Sequence, residues 1–161
     1  MVKHTSPFRL TSASVGFIGA SEELNPSQLA RIRALLEGFG ATELHHGGRL
    51  GPDVQVHALA DELGLWRFVH PDDDIALRAA FGSDALYPVV SYDSSRAQIV
   101  DLSGALIAVP AADEQPQNGA TWEIVRRAVA AGKPIVVVGH AGEVLRASPV
   151  VFGPTKLVAP W

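Results

Sequence analysis

Residues 105–138, ALIAVPAADEQPQNGATWEIVRRAVAAGKPIVVV, decide how the chain is read. They give an apolar run beginning at Ala105, a polar loop, a helical pattern, a glycine stop and a second apolar run ending at Val138. Short apolar runs on either side of a helix suit strands buried on both faces of a parallel sheet. The loop closes on Asn118-Gly119-Ala120-Thr121, where the helix begins. A helix start leaves backbone N–H groups unpartnered and carries a partial positive charge, so it attracts anions such as phosphate. Gly119 lets the backbone approach an anion, and the Thr121 hydroxyl can cap the helix or bind the ligand.

The same alternation runs through the residues before this stretch. Ser14 to Ala20 is a short apolar strand ending in small residues. Asn25-Pro26 signals a helix start, an N-cap residue followed by proline in the first turn. Leu29, Ile32, Leu36 and Phe39 continue at helical spacing until Gly38 or Gly40 stops the helix. Thr42 to His45 is a weaker strand, followed by a helix with Val56, Leu59, Ala60 and Leu63 on one face and Gly64 at its end. Leu65 to His70 reads as a third strand. Asp74 or a neighbour is placed to cap a short helix through Ile75, Leu77 and Ala80. Tyr87 to Tyr92 is extended, and Ser94 to Leu102 is a short helix with Ile99, Val100 and Leu102 inward. Past Val138, the apolar patch Val150-Val151-Phe152 either adds an edge strand or contacts a second subunit.

Strands alternating with helices imply an α/β fold whose mostly parallel sheet is covered by helices on both faces. Residues 1–13 read as an N-terminal extension, 14–140 as the ligand-binding domain and 141–161 as a tail. The length of 161 residues suits one domain, and 47% hydrophobic against 19% charged residues argues for a packed core. A formal charge of −4 with no basic run argues against nucleic acid as a partner. The chain has no cysteine, so disulfides and thiolate metal sites are excluded. No apolar run reaches the roughly 20 residues of a membrane span, and a cytoplasmic location is the expectation.

Ligands of open α/β sheets bind outside the carboxyl ends of the strands. That rule gathers Gly19-Ala20-Ser21, the loop from His46 to Asp53, His70-Pro71 and the stretch from Pro110 to Thr121 on one rim. In the His46 loop, Gly47, Gly48 and Gly51 either let backbone amides cradle a phosphate or simply supply a tight turn. The second glycine-bearing helix start on the same rim favours the cradle. Asp53 either caps its helix or meets a ligand hydroxyl. Arg96, just before an apolar helix, either offers its planar fork of donors to a phosphate or stays solvated. Trp122 either packs in the core or lines a base pocket. Glu123 sits in the first helical turn, where the dipole favours a carboxylate, and is also a candidate catalytic residue. Adjacent His45 and His46 on a strand point to opposite faces, so they do not share an ion. No metal site and no cofactor are expected, and the Asp72-Asp73-Asp74 run reads as a solvated loop.

The segments GGRLGPD after a strand, SRAQIVDLSGALIAVP and NGATWEIVRRAVAAGKPIVVV together resemble the SLOG superfamily of Rossmann-like nucleotide-binding proteins. The resemblance spans about Val15 to Val138. It implies a three-layer Rossmann-like fold, a nucleotide or nucleotide-derived phosphate ligand and a homodimer. Its enzymatic branch, the cytokinin-activating phosphoribohydrolases, cleaves the N-glycosidic bond of nucleoside 5′-monophosphates. The motif P-G-G-x-G-T-x-x-E of that branch carries a glutamate that works with an upstream arginine. By that likeness Arg96 and Glu123 are the candidate catalytic pair, although Ile124 stands three beyond Thr121 and Glu123 one position earlier. A binding protein or sensor, a phosphoribohydrolase and a non-catalytic oligomeric subunit are the functions in play.

Overall fold

The structure, a computed structural model, describes residues 14–79, 82–113, 119–152 and 155–159, with 149–152 and 155–159 described as backbone. An eight-stranded sheet has the order β4-β3-β2-β1-β5-β6-β7-β8. The strands are β1 (Ser14–Gly19), β2 (Glu43–His46), β3 (Trp66–Val69), β4 (Ala85–Leu86), β5 (Ala105–Val109), β6 (Ile135–Val138), β7 (Val144–Phe152) and β8 (Thr155–Ala159). The first six run parallel, and β7 and β8 add an antiparallel pair at one end. Four helices connect them: α1 (Pro26–Phe39), α2 (Pro52–Glu62), α3 (Tyr92–Leu102) and α4 (Ala120–Ala130).

The sheet is a middle layer because its central strands are apolar on both sides. Val15, Phe17, Leu44, Ile107 and Val109 join a core with α1 and α2, while Ile18, Leu106, Ala108 and Val137 join a second core with α3 and α4. This is the three-layer Rossmann-like arrangement. Strand alternation sends successive side chains to opposite faces, and α1/α2 and α3/α4 each bury one stripe against them. The chain lays β2, β3 and β4 outward on one side of β1, then returns through α3 to place β5 on the other side. The strand order therefore reverses between β1 and β5.

Local signals explain where the helices begin and end. Asn25 accepts a hydrogen bond from the Gln28 N–H at 2.9 Å and donates its own N–H to Gln28 Oε1 at 3.0 Å, a complete capping box. Gly40 ends α1 in the left-handed region at φ 65°. Ser91 caps α3, so that helix starts at Tyr92, earlier than the spacing predicts and inside the stretch read as extended. Leu102, expected inward, is 44% exposed, because the buried stripe of α3 runs through Ile99 and Val100.

The segment between β3 and β4 holds one turn of 3-10 helix (Ile75–Leu77), with no side-chain cap from Asp74. It is stitched instead to the glycine loop: Leu50 N–H donates to Leu77 C=O at 2.7 Å and Ala79 N–H to Gly48 C=O at 2.9 Å. Ala80, expected in that helix, and the extension at residues 1–13 lie outside the described residues. The tail is more than a patch, since β7 pairs along β6 and β8 along β7. Among the described residues no helix is long and apolar enough to cross a membrane.

Gly16 lets α3 and the end of its helix sit close to β1. A Cβ there would lie 2.5 Å from Ser103 Oγ, 2.6 Å from Leu106 Cδ2 and 2.8 Å from Ile99 Cγ2. Gly16→Ala is expected to cost about 1–3 kcal/mol through overpacking, read as a lower midpoint in urea denaturation.

Candidate functional site

The reversal between β1 and β5 opens a cavity of about 570 Å³ at the carboxyl ends of the strands. Gly19-Ala20-Ser21 leave β1 into one wall, and Pro110-Ala111-Ala112 leave β5 into another. Arg49 to Asp53 supply the start of α2, Tyr92 and Arg96 the start of α3, and Gly119 to Trp122 the start of α4. Three helix beginnings thus face one space. Gly119 is the N-cap of α4 and, among the described residues, no side chain caps that helix, so Thr121 does not act as its cap. Trp122 donates its indole N–H to Ala112 C=O at 3.1 Å and is buried, which fixes the β5 exit loop against α4.

The charged wall is organised by Asp72, which is 3% exposed. Its Oδ2 accepts a hydrogen bond from Arg49 Nε at 2.7 Å and lies 3.6 Å from Arg96 Nη2. Both guanidinium carbons sit against the Tyr92 ring, at 4.8 Å for Arg49 and 4.4 Å for Arg96 from its centroid. Burial pushes the Asp72 carboxyl up, but the Arg49 hydrogen bond and charge outweigh it and hold it below the usual carboxylate range. Arg96 is itself buried; it donates to Ser95 Oγ at 2.8 Å, and that hydroxyl donates to His70 C=O at 2.5 Å. Asp53 is 5% exposed and accepts the Arg49 backbone N–H at 3.0 Å. Burial raises its carboxyl above the ordinary value, with the charge of Arg96 pulling the other way.

Two chains of histidines back this wall. Gly48 N–H donates to His46 Nδ1 at 3.0 Å, so a neutral His46 carries its proton on Nε2 and donates to His57 Nδ1 at 2.8 Å. His57 Nε2 then donates to Gly82 C=O at 2.8 Å. On the other face of β2, His45 Nδ1 lies 2.8 Å from His70 Nε2, and His70 Nδ1 lies 3.1 Å from Gln98 Oε1. His45 and His46 do point apart. Among the described residues no group of His, Asp or Glu side chains is arranged to hold a metal ion.

Of the rim segments, the structure brings Gly19, Ala20, Ser21, Gly51, Asp53, Arg96, Pro110, Gly119, Ala120 and Thr121 to the cavity. His46, Gly47 and Gly48 do not line it. His46 is fully buried, and the Gly48 N–H and C=O are spent on His46 and Ala79. Gly47 has a steric reason instead: a Cβ there would strike the Arg96 guanidinium. Pro71 lines a second cavity, of about 530 Å³, beside β4. Asn118 lies outside the described residues. Glu123 is placed on the outer side of α4, with its side chain 66% exposed and 3.7 Å from Arg127. Asp72, expected in a solvated loop, is buried by its arginines; neither it nor Tyr92 is marked as a site residue by the sequence, and Arg49 is placed on the rim only as part of its loop. Asp72 sits in a run of three aspartates that no periodicity tells apart.

A scan against protein-family models finds no match for the chain, and a search of curated proteins finds none.

Burial lowers all four of these histidines below the ordinary value of 6.5, His70 to about 4. A group with a depressed histidine pKa binds protons more readily when unfolded, so stability is full above pH 6.5 and drains as pH falls toward 4. The urea midpoint is expected to drop between pH 7 and pH 4.5, and His70→Gln is expected to flatten that slope in the same measurement.

Proposed function

We propose that the protein binds a nucleotide or nucleotide-derived phosphate ligand at the C-terminal rim of its parallel sheet, as a sensor or binding protein that self-associates as a dimer. The observation that carries this reading is the start of α4, uncapped among the described residues, facing the same cavity as Arg96 and the exit loops of β1 and β5. Backbone amides without a capping oxygen, at the positive end of a helix, supply what a phosphate needs. Arg49 and Arg96 add positive charge nearby, shared with Asp72. The phosphate belongs at Gly119-Ala120-Thr121 rather than at Gly47 and Gly48, since Gly48 is already engaged within the chain.

Binding is favoured over cleavage of an N-glycosidic bond by the position of Glu123, whose exposed carboxylate pairs with Arg127 and does not line the cavity. Ala120 allows a direct test, because a glutamate in the first turn of a helix is compatible with folding and places negative charge at the phosphate end. Calorimetric titration with AMP and ADP-ribose is expected to give binding to the wild type and affinity lowered by about tenfold or more in Ala120→Glu, with the thermal midpoint unchanged. Absence of heat for either nucleotide at millimolar concentration would refute the proposal.

A further inference from the structure

The histidine chain between β2 and α2 joins two segments that are far apart in sequence. One end is the Gly48 N–H, which His46 Nδ1 accepts at 3.0 Å, and the other is the Gly82 C=O, 2.8 Å from His57 Nε2. A donor at one end and an acceptor at the other leave each ring proton a single place. His46 and His57 are both protonated on Nε2, and the bare Nδ1 of His57 accepts from His46 at 2.8 Å. An added proton has no position while these contacts hold. On His57 Nδ1 it meets the His46 N–H, and on His46 Nδ1 it meets the Gly48 N–H. The chain also ties two walls of the second cavity, which Gly48 and Ser83, the neighbour of Gly82, both line.

The surrounding charges decide which ring takes the proton. His46 is fully buried, and His57, His70, Arg96 and His45 all oppose a charge on it. His57 lies at the outer end of the chain, where Asp61 of α2, Asp84 and the Gly82 carbonyl favour the cation and Arg67 of β3 opposes it. Arg67 itself pairs with both Asp61 and Asp84. Asp61 stands four residues beyond His57 on the same helix, the spacing at which two side chains meet, and its side chain is 70% exposed. A charged imidazole bonds a carboxylate more strongly than a carbonyl. We propose that His57 is an acid-released tether: on gaining a proton its ring leaves His46 and the Gly82 carbonyl for Asp61, and frees the segment that leads into β4. Burial holds the tethered ring below the ordinary value of 6.5, to which a released histidine returns. The released form therefore binds protons more readily, so the tether holds above pH 6.5 and loosens as pH falls.

The test is nitrogen-15 NMR and amide hydrogen exchange on the whole chain. At pH 7 the imidazole shifts are expected to place the proton of both His46 and His57 on Nε2; a proton on Nδ1 of either overturns the tether. The Asp84 amide, two residues beyond Gly82, donates to Arg67 C=O at 3.1 Å and reports on the segment. From pH 7 to pH 5 its protection, corrected for the intrinsic exchange rate, is expected to fall about fivefold and to be insensitive to urea up to about 1 M, as for a local opening. Protection that stays constant with pH, or that falls with urea as steeply as that of β1 and β5, overturns the proposal. In His57→Gln, whose amide accepts from His46 and donates to Gly82 without titrating, the ratio between the two pH values is expected to fall toward one. A ratio that persists overturns the assignment to His57. The two wild-type measurements decide the matter even if the variant does not fold.

Discussion

Everything on the functional rim follows from the parallel pairing of β1 with β5. Val15 lies opposite Ala105 and Gly19 opposite Val109, so the two strands end side by side. Both are buried on both faces, which requires helices above and below and fixes the crossover that carries the chain from β4 back past β1. The exit loops of β1 and β5 then diverge to opposite layers and leave a crevice between them. Neither loop has to be shaped as a pocket. The topology makes the opening, and the beginnings of α2, α3 and α4 furnish it.

Furnishing it brings opposite charges close together. Two arginines and the buried Asp53 line one side of the crevice, the buried Asp72 pairs with both arginines, and the arginines rest on a single tyrosine ring. Breaking such a cluster by removing one partner leaves an uncompensated buried charge, a large cost compared with losing a surface ion pair. The cluster also holds separate segments together: Arg49 from the β2 exit, Asp72 from the β3 exit, and Tyr92 and Arg96 from α3. Ser95 adds a further tie by bonding the β3 end at His70. Two strand exits and one helix thus share the charges of the wall.

The sequence announces the architecture well because burial on two faces leaves a plain signature. SVGFIG, ALIAV and IVVV are apolar without alternation, and Asn25-Pro26 with Gly40 brackets α1. Weaker elements were harder to read. The 3-10 turn and the two-residue β4 have no period to detect, and β7 and β8 lie in a tail of mixed polarity. At the site, residues that leave strands or begin helices were legible, because topology alone puts them on the rim. Residues whose place depends on three-dimensional charge pairing were not. Asp72 differs from Asp73 and Asp74 only in being where Arg49 and Arg96 converge, and Gly48 reads as a phosphate cradle until its amide is found bonded to His46.

Gly47 illustrates how such a wall constrains its own variation. The absent side chain at this position is the space filled by the head of Arg96, which a Cβ would strike. Bulk at one position therefore requires a shorter residue at the other, although the two are far apart in the chain. Among descendants of this sequence the pair would drift as a unit: a larger residue entering the loop would follow, rather than precede, the loss of the arginine.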